Sequence, residues 1–234
     1  METNDLKSTT DRRSFIGSIA SGAAAMGLAT LTPALNLNAA ENKNLFTNPE
    51  DPDAWFNKLK GKHRIVFDAT RPHEIMPFVW PRIFLMTNAA TGSPESDCGV
   101  VVVLRHDAIG YAFENRLWEK YKFGEMFKAD DPKTKAPSTR NPFWKPAKGD
   151  FTVPGVGEVA IGINDLQASG VMFCVCNAAM TVYSAVAAGA MKMEAADVMN
   201  DWKAGLLPGV QIVPSGVWAV GRAQEHNCQY CFAG

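Results

Sequence analysis

Four short runs of apolar residues stand out along the chain, and polar residues or glycines separate them from their surroundings. They cover residues 65–67, 100–104, 171–176 and 210–213. Continuous apolar runs of this length are typical of strands that are buried on both faces of a sheet. The pattern therefore predicts four central strands.

The segments between these runs have the length and composition of helices. They cover residues 74–88, 108–123, 177–191 with a continuation to 207, and 215–226. Strands that alternate with helices indicate a parallel sheet with helices packed on both of its faces. We therefore expect a three-layer α/β/α fold with a mostly parallel sheet.

The first forty residues predict an export signal. Charged residues end at Arg12-Arg13, and an uncharged segment rich in alanine, glycine and serine extends over residues 14–40 to small residues at Ala39-Ala40. This order is typical of a twin-arginine signal peptide. We expect export by the twin-arginine machinery to the periplasm or another extracytoplasmic site. An uncleaved membrane anchor is the alternative.

Two further segments differ from the predicted domain, which we assign to residues 63–234. Residues 41–62 are polar apart from Trp55-Phe56, and we interpret them as a tether with a short helix. Residues 124–157 form a long proline-rich insertion loop, which predicts a lid, a subunit contact or a mobile segment without a role. The G-x-G-x-x-A motif at residues 155–160 follows this loop instead of a strand, so it does not predict a dinucleotide site.

The net charge and the number of cysteines exclude some classes of function. The chain has 234 residues, 23 Lys plus Arg, 24 Asp plus Glu and a net charge of -1. A protein without a strong positive field is not expected to bind nucleic acid. The five cysteines are too few for a disulfide scaffold, and their odd number leaves at least one thiol without an intramolecular disulfide partner.

One cysteine is placed where parallel sheets bind their ligands. Asp68, His106, Cys176 and Ser215 follow the four predicted strands, whose carboxyl ends share one edge. Cys176 also precedes a predicted helix, and a helix N-terminus favours a thiolate over a thiol. The alternative is an inert buried thiol, which is also our interpretation of Cys174.

The carboxy-terminal residues offer a different site. His226 precedes a C-x-x-C pair, Cys228 and Cys231, whose spacing suits either a local disulfide or two ligands of one metal. With Cys98 as a fourth ligand, the residues predict a zinc or copper site. This alternative would make the protein a metal-binding or metal-delivery module, whereas the disulfide would suit a non-catalytic binding protein.

Several sequence segments between about His63 and the end of the chain resemble the DsrE/DsrF-like sulfur-relay family. They are Val102-Val103-Leu104-Arg105-His106, Gly170-Val171-Met172-Phe173-Cys174-Val175-Cys176-Asn177, Leu207-Pro208-Gly209-Val210-Gln211-Ile212-Val213-Pro214-Ser215-Gly216-Val217 and Arg222-Ala223-Gln224. The resemblance implies a three-layer α/β/α domain that forms homo- or hetero-oligomers and carries persulfide sulfur on a cysteine at the position of Cys176.

The residues and the resemblance together predict an exported sulfur-handling protein, either a persulfide carrier or a sulfurtransferase-like protein. We expect Cys176 to accept and donate sulfur, with His106 as an acid/base or orienting group. The expected partner is a small sulfur donor or a sulfur-carrier protein, and no cofactor is needed. Whether the protein is an enzyme is left open.

Overall fold

The computed structural model describes residues 52–234, so the predicted export signal and the first part of the predicted tether lie outside the described residues. A five-stranded sheet forms the centre, and all its neighbouring strands are parallel. Its strands are β1 (His63–Ala69), β2 (Cys98–Leu104), β5 (Met172–Cys176), β6 (Val210–Val213) and β7 (Gln229–Phe232). Across the sheet they are arranged in the order β6-β5-β2-β1-β7. A small antiparallel hairpin contains β3 (Thr152–Val153) and β4 (Gly157–Glu158).

One helix precedes the first strand of the central sheet, and the others lie between its strands. They are α1 (Pro52–Phe56), α2 (Met76–Ala90), α3 (Asn115–Tyr121), α4 (Phe123–Met126), α5 (Ile163–Ala168), α6 (Asn177–Met191), α7 (Ala195–Ala204) and α8 (Gly216–Glu225). Two 3-10 helices, Glu95–Asp97 and His106–Ala112, precede and follow β2.

The apolar core is divided by the sheet into two clusters. In β2, Val100, Val102 and Leu104 belong to the first cluster, whereas Val101 and Val103 belong to the second. Because successive strand residues point to opposite faces, these clusters lie on opposite sides of the sheet. Helices α2 to α7 supply the first cluster, and α1 and α8 supply the second. The predicted three-layer α/β/α fold is therefore confirmed.

Connection handedness explains this unequal distribution of helices. The chain moves from β1 through β2 and β5 to β6 in one direction across the sheet, and then returns to the opposite edge with β7. Right-handed crossovers place all helices of the first direction on one face and the helix of the return on the other. The returning helix is α8.

The structure differs from the sequence-based expectation at both ends of the described chain. Residues 229–232 add a fifth strand, β7, at the sheet edge, where the sequence predicted only a cysteine-containing tail. At the other end, Trp55, Phe56 and Leu59 are buried in the second cluster. The apolar pair in the predicted tether therefore belongs to the core, because α1 covers part of a face that α8 alone does not fill.

The proline-rich segment, residues 124–157, packs against the domain. Phe143 is fully buried and stacks on Phe78 of α2, with ring centroids 4.1 Å apart. The side chain of Asn141 donates hydrogen bonds of 2.9 Å to the carbonyl oxygens of Tyr111 and Phe113. This segment closes one side of the first cluster and does not form a detached loop.

Two smaller expectations can be compared with the described residues. The G-x-G-x-x-A motif begins in the turn of the β3–β4 hairpin, where it lacks the strand-to-helix setting of a dinucleotide site. Among the helices of residues 52–234, none is both long enough and apolar enough to span a membrane.

Candidate functional site

Cys176 lies where β5 ends and α6 begins. It is the N-cap residue of α6, and its Sγ accepts a hydrogen bond of 3.3 Å from the backbone N–H of Ala179. The residue is 6% exposed. The first turn of a helix presents unpaired N–H groups and a partial positive charge, so this position favours negative charge on the sulfur.

An ion pair lies at the end of β2, the strand next to the one that carries this cysteine. Arg105, directly after β2, donates from Nε and Nη2 to the carboxylate oxygens of Asp68 at 2.6 and 2.9 Å. The side chain of Asp68 is 3% exposed and also accepts a hydrogen bond of 2.9 Å from Tyr230 of β7. Two parallel bonds from a planar guanidinium fix its orientation as well as its position.

Arg105 and Cys176 are neighbours across the sheet. The β2–β5 register pairs Leu104 with Val175, and Arg105 and Cys176 are the next residues along the two chains. The hydrogen bond to Asp68 is the main reason that the pKa of Arg105 is raised, and the nearby Cys176 sulfur adds to this effect. The two groups are therefore within electrostatic reach of each other.

Helix α8 leaves space for the arginine by beginning with glycine. A Cβ atom at Gly216 would lie 2.4 Å from Cβ and 2.7 Å from Cδ of Arg105, distances that no real side chain tolerates. Ser215, the predicted strand-end residue before this glycine, caps α8 by accepting a 3.2 Å hydrogen bond from the N–H of Trp218. Its hydroxyl has a local structural role.

His106 lies at the same edge but is paired with another group. Its Nδ1 is 3.2 Å from Asp107, and Asp107 also accepts a hydrogen bond from the hydroxyl of Tyr183 of α6. The backbone of His106 is left-handed, with φ of 49°, which costs a non-glycine residue roughly 1 kcal/mol or more. The histidine side chain is 62% exposed, so it is open to solvent while Asp107 orients it.

The surroundings of the other four cysteines disfavour a thiolate. Burial is the main cause that raises the pKa of Cys98, Cys174, Cys228 and Cys231, and for Cys228 the pKa rises to about 11. For Cys98, the neighbouring carboxylates act in the same direction. All five cysteines are free thiols.

The structure places the carboxy-terminal C-x-x-C pair in two different packing environments. Cys228 is buried in the second cluster, and Cys231 packs against the first. The ring of His226 stacks on Phe56 at a centroid distance of 5.6 Å. Within residues 52–234, no group of three or more His, Cys, Asp or Glu side chains is arranged to hold a metal ion.

Comparisons with known proteins add little to this picture. No family model and no curated protein matches the chain. It is similar to a solved structure of a protein of unknown function, MTH1491 from Methanobacterium thermoautotrophicum, with 18% identity, 73% of this chain and 99% of that chain covered, and a TM-score of 0.37. The side chains of this protein are therefore the basis for assigning a function.

Three residues of the site were not singled out from the sequence, namely Arg105, Tyr230 and Gly216. One signal could have found Arg105, because it directly follows an apolar strand and its charge is opposite to that of Asp68, near the end of the neighbouring strand. Gly216 and Tyr230 carry no such signal, since their importance depends on the approach of α8 and β7 to the arginine.

Proposed function

We propose that the protein handles sulfane sulfur on Cys176, as a persulfide carrier or a sulfurtransferase-like protein of an extracytoplasmic compartment. The observation that carries this proposal is the placement of the Cys176 Sγ, which caps α6 at the end of β5, next to the end of β2 where Arg105 is held by Asp68. The N-terminus of α6 and the guanidinium of Arg105 both stabilise negative charge, and a persulfide carries its negative charge on the terminal sulfur.

The chemistry requires one thiolate and one donor. The Cys176 thiolate attacks a sulfane sulfur of the donor, a new S–S bond forms, and the S–S bond within the donor breaks. The shortened donor leaves with the electron pair of that bond, and Cys176 retains one additional sulfur as a persulfide. Transfer to an acceptor thiolate is the same exchange in the opposite direction.

His106 has a supporting role in this proposal. Its ring is oriented by Asp107, and burial together with the hydrogen bond to Asp107 raises the pKa of Tyr183, so the tyrosine hydroxyl remains a donor. Asp107 thus accepts from both side chains. His106 is available to exchange protons with a donor or acceptor that arrives from solvent.

The test is the intact mass of the full chain after incubation with inorganic polysulfide, measured without reductant. We expect one added sulfur, about 32 Da, that reductant removes. Cys176→Ser abolishes the addition. Cys231→Ser is the matched control, because Cys231 is more exposed than the other four thiols and would be modified first if exposure alone decided reactivity. Loading of Cys176→Ser to the wild-type level would refute the proposal.

A further inference from the structure

The ion pair with Asp68 leaves one nitrogen of the Arg105 guanidinium, Nη1, without a partner among the described residues. Within residues 52–234, its side chain donates through Nε and Nη2, both to Asp68, and Nη1 donates to no protein group. Asp68 is buried behind the guanidinium, whereas the arginine side chain is 28% exposed. The guanidinium of Arg105, whose residue neighbours Cys176 across the β2–β5 register, therefore keeps N–H groups that no acceptor in this part of the protein takes.

Access to the sulfur is narrow. Cys176 is 6% exposed, so a donor that reaches its Sγ must have a small reacting end. Arg105, its neighbour across the β2–β5 register, is considerably more exposed than the cysteine. A donor that approaches the sulfur from the carboxyl ends of β2 and β5 therefore meets the guanidinium.

We propose that the site takes a small sulfur oxyanion with a terminal sulfane sulfur, of which thiosulfate is the simplest, and that Arg105 binds its sulfonate end. This inference rests on the proposed function, since it names the donor class for the same cysteine. Asp68 neutralises much of the arginine's charge, so recognition acts through short charge-assisted hydrogen bonds and not through long-range attraction.

The transfer step balances without a further reactant. The Cys176 thiolate attacks the sulfane sulfur of thiosulfate, the new S–S bond forms, and the bond between the two thiosulfate sulfurs breaks. Sulfite leaves with the electron pair, and Cys176 becomes a persulfide anion. The total charge is minus three on both sides, with one thiolate and one dianion before and one persulfide anion and one dianion after. The negative charge of the departing sulfite develops on the oxygens that face Arg105.

Three residues act as positioning residues for the arginine. Asp68 and Tyr230 fix the plane of its guanidinium through the hydrogen bonds described above, and Gly216 leaves room for its aliphatic stem. Lysine cannot replace this arrangement, because an ammonium lacks the planar fork that serves Asp68 and an oxyanion at once.

The experiment compares two donors on the full chain. Wild type and Arg105→Lys are incubated with thiosulfate or with inorganic polysulfide, and the mass gain and the sulfite released are measured together. We expect wild type to gain one sulfur from thiosulfate and to release one sulfite per persulfide. In Arg105→Lys the ratio of the thiosulfate rate to the polysulfide rate falls roughly tenfold.

A second variant distinguishes a loss of donor recognition from a folding defect. In Gly216→Ala the added methyl displaces Arg105, whereas Gly221→Ala, in the same helix with open space around its Cβ, is the control. We expect the donor ratio to fall in the first variant and to stay unchanged in the second.

The outcomes separate this inference from the proposed function. Loading from polysulfide without any loading from thiosulfate overturns the inference and leaves the proposed function intact. An equal loss with both donors in Arg105→Lys also overturns it, because the arginine would then support the fold and not the choice of donor. Loading by neither donor refutes both proposals.

Discussion

The two cysteine-bearing regions of this protein differ in what surrounds the sulfur. Cys176 ends the inner strand β5, accepts a backbone N–H from α6 and has a guanidinium beside it. Cys228 and Cys231 are associated with the edge strand β7, and burial raises the pKa of both thiols. The comparison shows that the spacing of two cysteines does not by itself determine the surroundings of their thiols, which depend on the secondary structure that carries them.

The geometry of β7 explains why the C-x-x-C pair is separated. In a turn, two cysteines three positions apart approach each other, but along an extended strand an odd separation sends side chains to opposite faces. Cys228 accordingly joins the second cluster, and Cys231 packs against the first. The tail therefore builds the sheet edge and does not form a chelating turn.

The largest expected difference is in the reactivity of Cys228. With a pKa of about 11, only about one in a thousand of these thiols is ionised at pH 8. We expect iodoacetamide to modify Cys228 at least about a hundredfold more slowly in the folded protein than in urea. Peptide mapping by mass spectrometry measures both rates.

The sign of the pH dependence provides a check on this result. The pKa of Cys228 is higher in the folded than in the unfolded protein. The neutral thiol therefore contributes fully to the free energy of unfolding below about pH 8.5, and this contribution is lost as the pH rises through about 11. The rate in the folded protein should rise about tenfold per pH unit up to that value. Equal rates in the folded and unfolded chains would remove the contrast between the two regions.

A pair of glycines tests how closely the Cys176 region is packed. Gly216→Ala places a Cβ 2.4 Å from Cβ of Arg105, and we expect it to lower the free energy of unfolding by about 1–3 kcal/mol. Gly221→Ala lies in the same helix with nothing within 4 Å of the added atom. It should raise the free energy by up to about 1 kcal/mol through helix propensity. Urea unfolding followed by circular dichroism measures both changes, and a neutral Gly216→Ala would contradict the packing argument.

The sequence predicts the inner part of this fold well. Three of the four predicted strands, β1, β2 and β5, are the inner strands of the sheet, and burial on both faces leaves few polar positions to obscure their apolar runs. The fourth, β6, is an edge strand. The same reasoning places Cys176 correctly at a strand end before a helix. Secondary structure that lies at the periphery is harder to predict. Tyr230 and Phe232 of β7 are about half exposed, and α1 has only five residues.

The ion pair at the site could not be derived from the sequence alone. Asp68 and Arg105 are separated by 37 positions, and their contact depends on β1 and β2 being neighbours in a fixed register. The contribution of Tyr230 further depends on β7 returning to the opposite edge of the sheet. Pattern and spacing report local structure, whereas this pair is produced by topology.

The smallest expected effect links the two regions. Tyr230 belongs to the tail strand, yet its hydroxyl donates to Asp68 behind Arg105. Tyr230→Phe removes this bond to a charged acceptor, and because Tyr230 is 48% exposed, we expect a loss of only about 0.5–1 kcal/mol. The loss is measured by urea unfolding at pH 7.

The pH dependence of this difference identifies its cause. Burial and the bond to Asp68 raise the pKa of Tyr230, so the stabilising contribution of the hydroxyl is complete below the unfolded value of about 10 and is lost as the pH rises through the folded pKa. Wild type and Tyr230→Phe should therefore differ at pH 7 and converge above about pH 10. A difference that persists at high pH would mean that the phenol contributes by packing, and the tail would then be independent of the arginine site.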